Sequence, residues 1–87
     1  MVTPAQCRAA RGLLKWSTRG LAQNAGVAPA TVQKFENGER STNTHIVSGL
    51  QATLEAAGIV FVKQGSDAQA TPREVKLSDG SIVRLEK

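Results

Sequence analysis

Four successive stretches of the chain place apolar residues at intervals of three and four, the spacing of a single buried stripe on a helix. In the first, Cys7, Ala10 and Leu14 recur with Leu13 beside them. Thr3 stands as an N-cap, Pro4 suits the first helical position, and Gln6 sits where a capping-box partner reaches back, which predicts a helix from Pro4 to about Lys15. Ser17 caps a second helix whose inward face is Leu21, Ala22 and Ala25, and Gly26 ends it in a left-handed position. After a very short connection a third helix opens with Pro29, turns Val32 and Phe35 inward, and breaks at Asn37-Gly38. Ala28, just before it, is a poor cap because its side chain accepts no hydrogen bond. Beyond the polar segment 39–43, a fourth helix carries Ile46, Val47, Leu50, Leu54 and Ala57 and stops at Gly58.

From Gly58 onward the period changes. Ile59 to Val62 is a short β-branched run, residues 64–72 have the composition of a linker, and Val75 to Leu85 reads as a hairpin around Ser78-Asp79-Gly80. A two-residue Asp-Gly loop would oppose Val75 to Arg84 and mix the faces. A three-residue loop with Gly80 left-handed opposes Val75 to Val83 and Glu74 to Arg84, so that Leu77 and Leu85 join one apolar face. The second register is preferred. An isolated hairpin is marginal in water, so the 59–62 strand or a second subunit is expected to cover that face.

Composition adds constraints to this pattern. With 87 residues the chain has room for one small domain and an appendage, divided here into residues 1–58 and 59–87. Two Phe, one Trp and no Tyr leave the core to Leu, Val, Ile and Ala, which favours closely packed helices. One cysteine excludes an internal disulfide, and one histidine beside it gives no zinc constellation, so no cofactor is expected. The chain carries no signal-peptide pattern and no apolar run near the roughly 20 residues that span a bilayer, so a soluble protein in a reducing, cytoplasmic setting is expected. Paired carboxylates, a Cys/His pair and a phosphate loop are all missing, which argues against an enzyme.

Charge is unevenly divided. Residues 1–45 hold six basic groups against two acidic ones, whereas residues 46–87 hold five of each. The whole net charge of +4 lies in the half that contains the paired short helices, as expected if that half faces a polyanion.

Two short helices joined by a tight turn, with Ala22 at the crossing and Gly26 four residues later, meet the packing demands of a helix-turn-helix. The string RGLLKWST, then LAQNAGVAPATVQKFENGER and the following amphipathic helix, resembles the Cro/C1-type (XRE-like) helix-turn-helix family over roughly residues 4–57. The ordered set Trp16-Ser17, Leu21-Ala22, Ala25-Gly26-Val27, Thr31-Val32 and Phe35-Glu36-Asn37-Gly38 carries the resemblance. The family implies a bundle of about five helices, from which residues 59–87 depart. The fold expected is therefore mainly α, a helix-turn-helix bundle of four to five helices with a small C-terminal β appendage of strand plus hairpin.

The resemblance implies double-stranded DNA as ligand, met by the start of the second helix and the exposed face of the third. Thr18 stands where family members often place a longer Gln. Pro29, Ala30, Gln33 and Lys34 fall on the reading face, and Asn37, Arg40 and Asn43 follow along the DNA backbone. Gln33 suits a bidentate contact to adenine, while the Ala30 methyl and Pro29 ring suit a thymine methyl. Ser17, Thr18, Thr31, Lys34 and Arg40 are the candidate phosphate contacts. Arg11 and Glu36 resemble a family pair that ties the first helix to the end of the third. Arg8 and Lys15 read as a solvated face with DNA contact as the rival reading, His45 as solvated, and Cys7 as a buried apolar residue.

These features point to a transcriptional regulator, a repressor by the family's habit, that binds a palindromic operator as a homodimer. The alternative is a protein-binding module, an antitoxin or antiactivator, that captures a regulatory partner through its β appendage.

Overall fold

Cap chemistry sets the helix boundaries in the computed structural model, which describes residues 2–39, 43–62, 74–78 and 80–86. Helix α1 spans Pro4–Leu14 and starts with a complete capping box: the Gln6 amide donates to Thr3 Oγ1 and the Thr3 amide to Gln6 Oε1. Lys15 closes it in a left-handed conformation, φ 58°. Helix α2 spans Thr18–Ala25, capped by Ser17 Oγ, which accepts from the Gly20 amide. Helix α3 spans Pro29–Glu36 and has no side-chain cap, as Ala28 implies. Helix α4 spans Thr44–Ala56, and Asn43 Oδ1 accepts from the His45 amide at 2.7 Å.

The three strands are β1 (Ile59–Val62), β2 (Glu74–Lys76) and β3 (Ile82–Leu85). They form one antiparallel sheet in the order β1-β3-β2. Strand β2 meets β3 in the register that the three-residue loop requires, Glu74 opposite Arg84 and Val75 opposite Val83. Gly80 has φ 89°, a conformation that a side chain would strain. The predicted linker 64–72 and loop residue Asp79 lie outside the described residues.

The hairpin's apolar face is covered from within the chain. β1 widens the sheet by pairing with β3, Ile59 opposite Leu85 and Phe61 opposite Val83, and the sheet packs against α1 and α4. A single core cluster therefore runs across residue 58. It contains Cys7, Ala10, Leu21, Ala22, Val32, Leu50 and Leu54 from the helices and Ile59 and Val83 from the sheet, with Phe61, Leu77 and Leu85 packed against it. Even the N-terminus joins: Val2 is buried, and its amide donates to Gln51 Oε1 of α4. Alternation along β1 and β3 sends Ile59, Phe61, Val83 and Leu85 inward, so the apolar surface that neither element could bury alone is shared between them.

A shared core predicts a single cooperative unit. Ile59→Ala should cost about 2–5 kcal/mol. Urea unfolding followed by Trp16 fluorescence and by far-ultraviolet circular dichroism should stay coincident. Two separated transitions would mean that the sheet melts independently of the helices.

Candidate nucleic-acid interface

The interface is built on the α2–turn–α3 unit. Gly26 adopts φ 73°, and the Val27 amide donates back to the Ala22 carbonyl at 3.0 Å, which reverses the chain in three residues, Gly26 to Ala28. Small, fully buried Ala22 lets the two helices approach, and Leu21, Val32 and Phe35 fill the space behind them. Consequently α3 lies on α2 and α1, while the sheet lies on α1 and α4.

Glu36 fixes the far end of α3. Its residue is 5% exposed, which for a carboxylate demands partners. Arg11 supplies a two-pronged ion pair, Nε to Oε2 and Nη2 to Oε1, both 2.8 Å, and its Nη1 reaches the Trp16 carbonyl at the α1–α2 junction. The Cys7 thiol donates to Glu36 Oε2 at 3.3 Å. Arg8 donates to the Glu36 backbone carbonyl at 2.6 Å and so caps the C-terminal end of α3. The hydrogen bond to Glu36 holds the Arg11 guanidinium above its ordinary pKa. Burial, reinforced by the Glu36 charge and hydrogen bond, pushes the Cys7 thiol up to about 12.

This network redistributes the basic residues. Arg8 and Arg11 both bond to Glu36, and Arg8 stays exposed while its guanidinium reaches the Glu36 backbone carbonyl. Among the described residues of the N-terminal half, Lys15, Arg19 and Lys34 are exposed and carry no ion pair. Arg19 is the residue that sequence reasoning passed over. It occupies the second position of α2, beside Thr18 and one turn before exposed Gln23, and its place next to a helix start was the available signal.

The anchored face of α3 is Val32, Phe35 and Glu36, and the face turned to solvent follows from it. At about 100° per residue, Ala30 and Lys34 lie nearly opposite the anchored face, one turn apart. Gln33 sits on the shoulder beside Pro29, with Asn37 a turn beyond it. Pro29, Ala30, Gln33, Lys34 and Asn37 are all exposed; Thr31 is half-buried at the edge. Ser17 is exposed and Thr18 half-buried at the start of α2. The Ser17 oxygen accepts from Gly20, which leaves the hydroxyl proton to donate outward. Asn43 uses its carbonyl oxygen to cap α4, and its amide nitrogen is the group left for a ligand. Arg40 lies outside the described residues.

Removing Arg11 strands a buried carboxylate, so Arg11→Ala should lower unfolding stability by about 3–5 kcal/mol. Cys7 gives a pH signature. Its folded pKa of about 12 lies above the ordinary 9.0, so the folded state retains a proton that the unfolded chain loses between those values. The stabilisation is whole below pH 9.0 and is lost as pH rises toward 12. The stability difference between the protein and Cys7→Ala should therefore narrow by about 1–2 kcal/mol from neutral pH to about pH 10. A constant difference in urea titrations would refute the assignment.

Comparison with known proteins agrees with this geometry. No curated protein matches the chain. A helix-turn-helix family model matches residues 8–55, which hold the Arg11–Glu36 tie, the whole α2–turn–α3 unit and nearly all of α4. Matched over more than half its length, the chain belongs to the Cro/C1-type helix-turn-helix family of DNA-binding regulators.

Proposed function

We propose that the protein is a cytoplasmic repressor that binds a palindromic operator as a homodimer, residues 1–58 reading DNA and residues 59–87 serving assembly. The observation that carries this reading is the division of α3. One side is locked by Val32, Phe35 and the Glu36 network, while the other presents Ala30, Lys34, Gln33 and Pro29 to solvent. A rigid helix with an exposed polar and methyl face is what entry into a major groove requires.

Roles follow from position and chemistry. Lys34, at the crest with Ala30, donates to guanine O6 or N7 or to a phosphate. Gln33, on the shoulder, pairs with adenine N6 and N7, and the Pro29 ring and Ala30 methyl pack on a thymine methyl. Ser17, Thr18, Thr31 and Arg19 meet phosphates at the start of α2 and the flank of α3, and Asn37, Arg40 and Asn43 continue along the backbone. One such helix covers few base pairs, so two half-sites about one DNA turn apart supply the remaining discrimination. Among the described residues no helix is long and apolar enough to cross a membrane.

Selection of binding sites from random duplex DNA should enrich a palindrome whose affinity falls steeply with salt. On that site Gln33→Ala should cost about 1–3 kcal/mol and relax the choice at one base pair, whereas Arg19→Ala should weaken all duplexes alike and flatten the salt dependence. Equal, weak binding to every duplex, with a protein captured instead through the sheet, would favour the antitoxin or antiactivator reading.

A further inference from the structure

The sheet has two outer edges, and they differ. β2 carries exposed Lys76 on its edge, the kind of charge that discourages strand addition. β1, with the sequence Ile-Val-Phe-Val, carries no charge, glycine or proline, and among the described residues no strand pairs with its outer side. Among the described residues, its Val60 is the large hydrophobic residue left exposed, at 36%.

The ladder fixes which backbone groups that edge offers. The Glu86 amide donates to the Gly58 carbonyl at 2.8 Å, so Gly58 and Glu86 form a hydrogen-bonded pair. By the alternation of an antiparallel ladder, Val60 and Val62 also turn their N–H and C=O groups toward β3, at Arg84 and Ile82. Ile59 and Phe61 therefore turn theirs outward. Those two residues are placed symmetrically about Val60, which makes the edge complementary to itself in one register.

We propose that β1 pairs with β1 of a second copy across a two-fold axis at Val60. Ile59 of each copy exchanges two hydrogen bonds with Phe61 of the other, and the Val60 side chains meet as a non-hydrogen-bonded pair. The sheet becomes six strands, β2-β3-β1-β1-β3-β2. Among the described residues, the nearest charge on the Val60 face is Arg84, already neutralised by Glu74 at 3.1 Å, so pairing brings no uncompensated like charges of these residues together. Four residues per strand bury far less than the roughly 1,200–2,000 Å² of a stable interface. The dimer is therefore weak in free solution and is completed when two half-sites hold the copies together. The inference deepens the proposed homodimer and rests on that reading.

The test uses Val60→Cys in the full chain without DNA, because directly opposed residues of a non-hydrogen-bonded pair lie about 4.5 Å apart at Cα, within disulfide reach. Buried Cys7, with its raised pKa, stays silent. Under mild oxidation Val60→Cys should form a covalent dimer about tenfold or more faster than Lys76→Cys, which reports random collision. Equal rates overturn the pairing, as does a Val60→Cys thiol shielded from alkylation in the monomer, which would mean that the chain covers its own edge. Val60→Lys supplies the second readout: cooperative binding to a duplex with two half-sites should be lost, while affinity for a single half-site stays unchanged. Retained cooperativity overturns the proposal. Failure of the wild-type protein to bind any half-site would instead count against the operator reading, leaving the cross-linking result to judge the strand pairing.

Discussion

Burying the Glu36 carboxylate is the constraint on which the arrangement of helices depends. A charge withdrawn from water is tolerable only when its oxygens are met by donors, and each donor here arrives from α1: Arg11 to both oxygens, Cys7 to one, and Arg8 to the adjacent backbone carbonyl. Those three residues lie on one side of α1 within little more than a turn. The result is an angular constraint: α3 cannot rotate about its axis or slide along α1 without leaving the carboxylate unpaired. Apolar packing through Val32 and Phe35 holds α3 against its neighbours, but packing is non-directional, and the direction comes from the ion pair.

The remaining elements brace α1 so that this tie has something rigid to pull against. The sheet packs against α1, which also carries α3, and α4 touches α1, α2 and β1. Strands β1 and β3, outside the matched family region, thus share the same core as the helix-turn-helix.

Much of the fold could be read from the sequence because its determinants are local. Thr3 with Gln6, Ser17, Gly26 and Gly80 each act within a few residues of themselves, so their caps and turns follow from side-chain chemistry alone. The hairpin register was legible because a slip by one residue would have put Arg84 opposite Val75. Strand order was not legible: β1 had the same pattern of alternation whether it joined β3 or β2. For the interface, the exposed and buried sides of α3 could be read from periodicity. The use of Arg8 as a cap on α3 could not, because residues 28 apart meet only once the helices cross. The same blindness merged Arg8 with Arg19 in a count of basic groups, although both are exposed and Arg8 is tied to the Glu36 carbonyl.

The missing cap on α3 has a consequence for the timing of recognition. α2 carries its own acceptor in Ser17, whereas the Ala28 side chain offers none, so the first turn of α3 is held by Pro29 and by the Thr31 amide on the Ala28 carbonyl, without a side-chain cap. A DNA phosphate set at that end would serve as the cap that the sequence omits. Affinity would then include a term for completing the helix, insensitive to base identity. Release would begin by fraying at Pro29 and Ala30, at the end where Glu36 exerts the least hold.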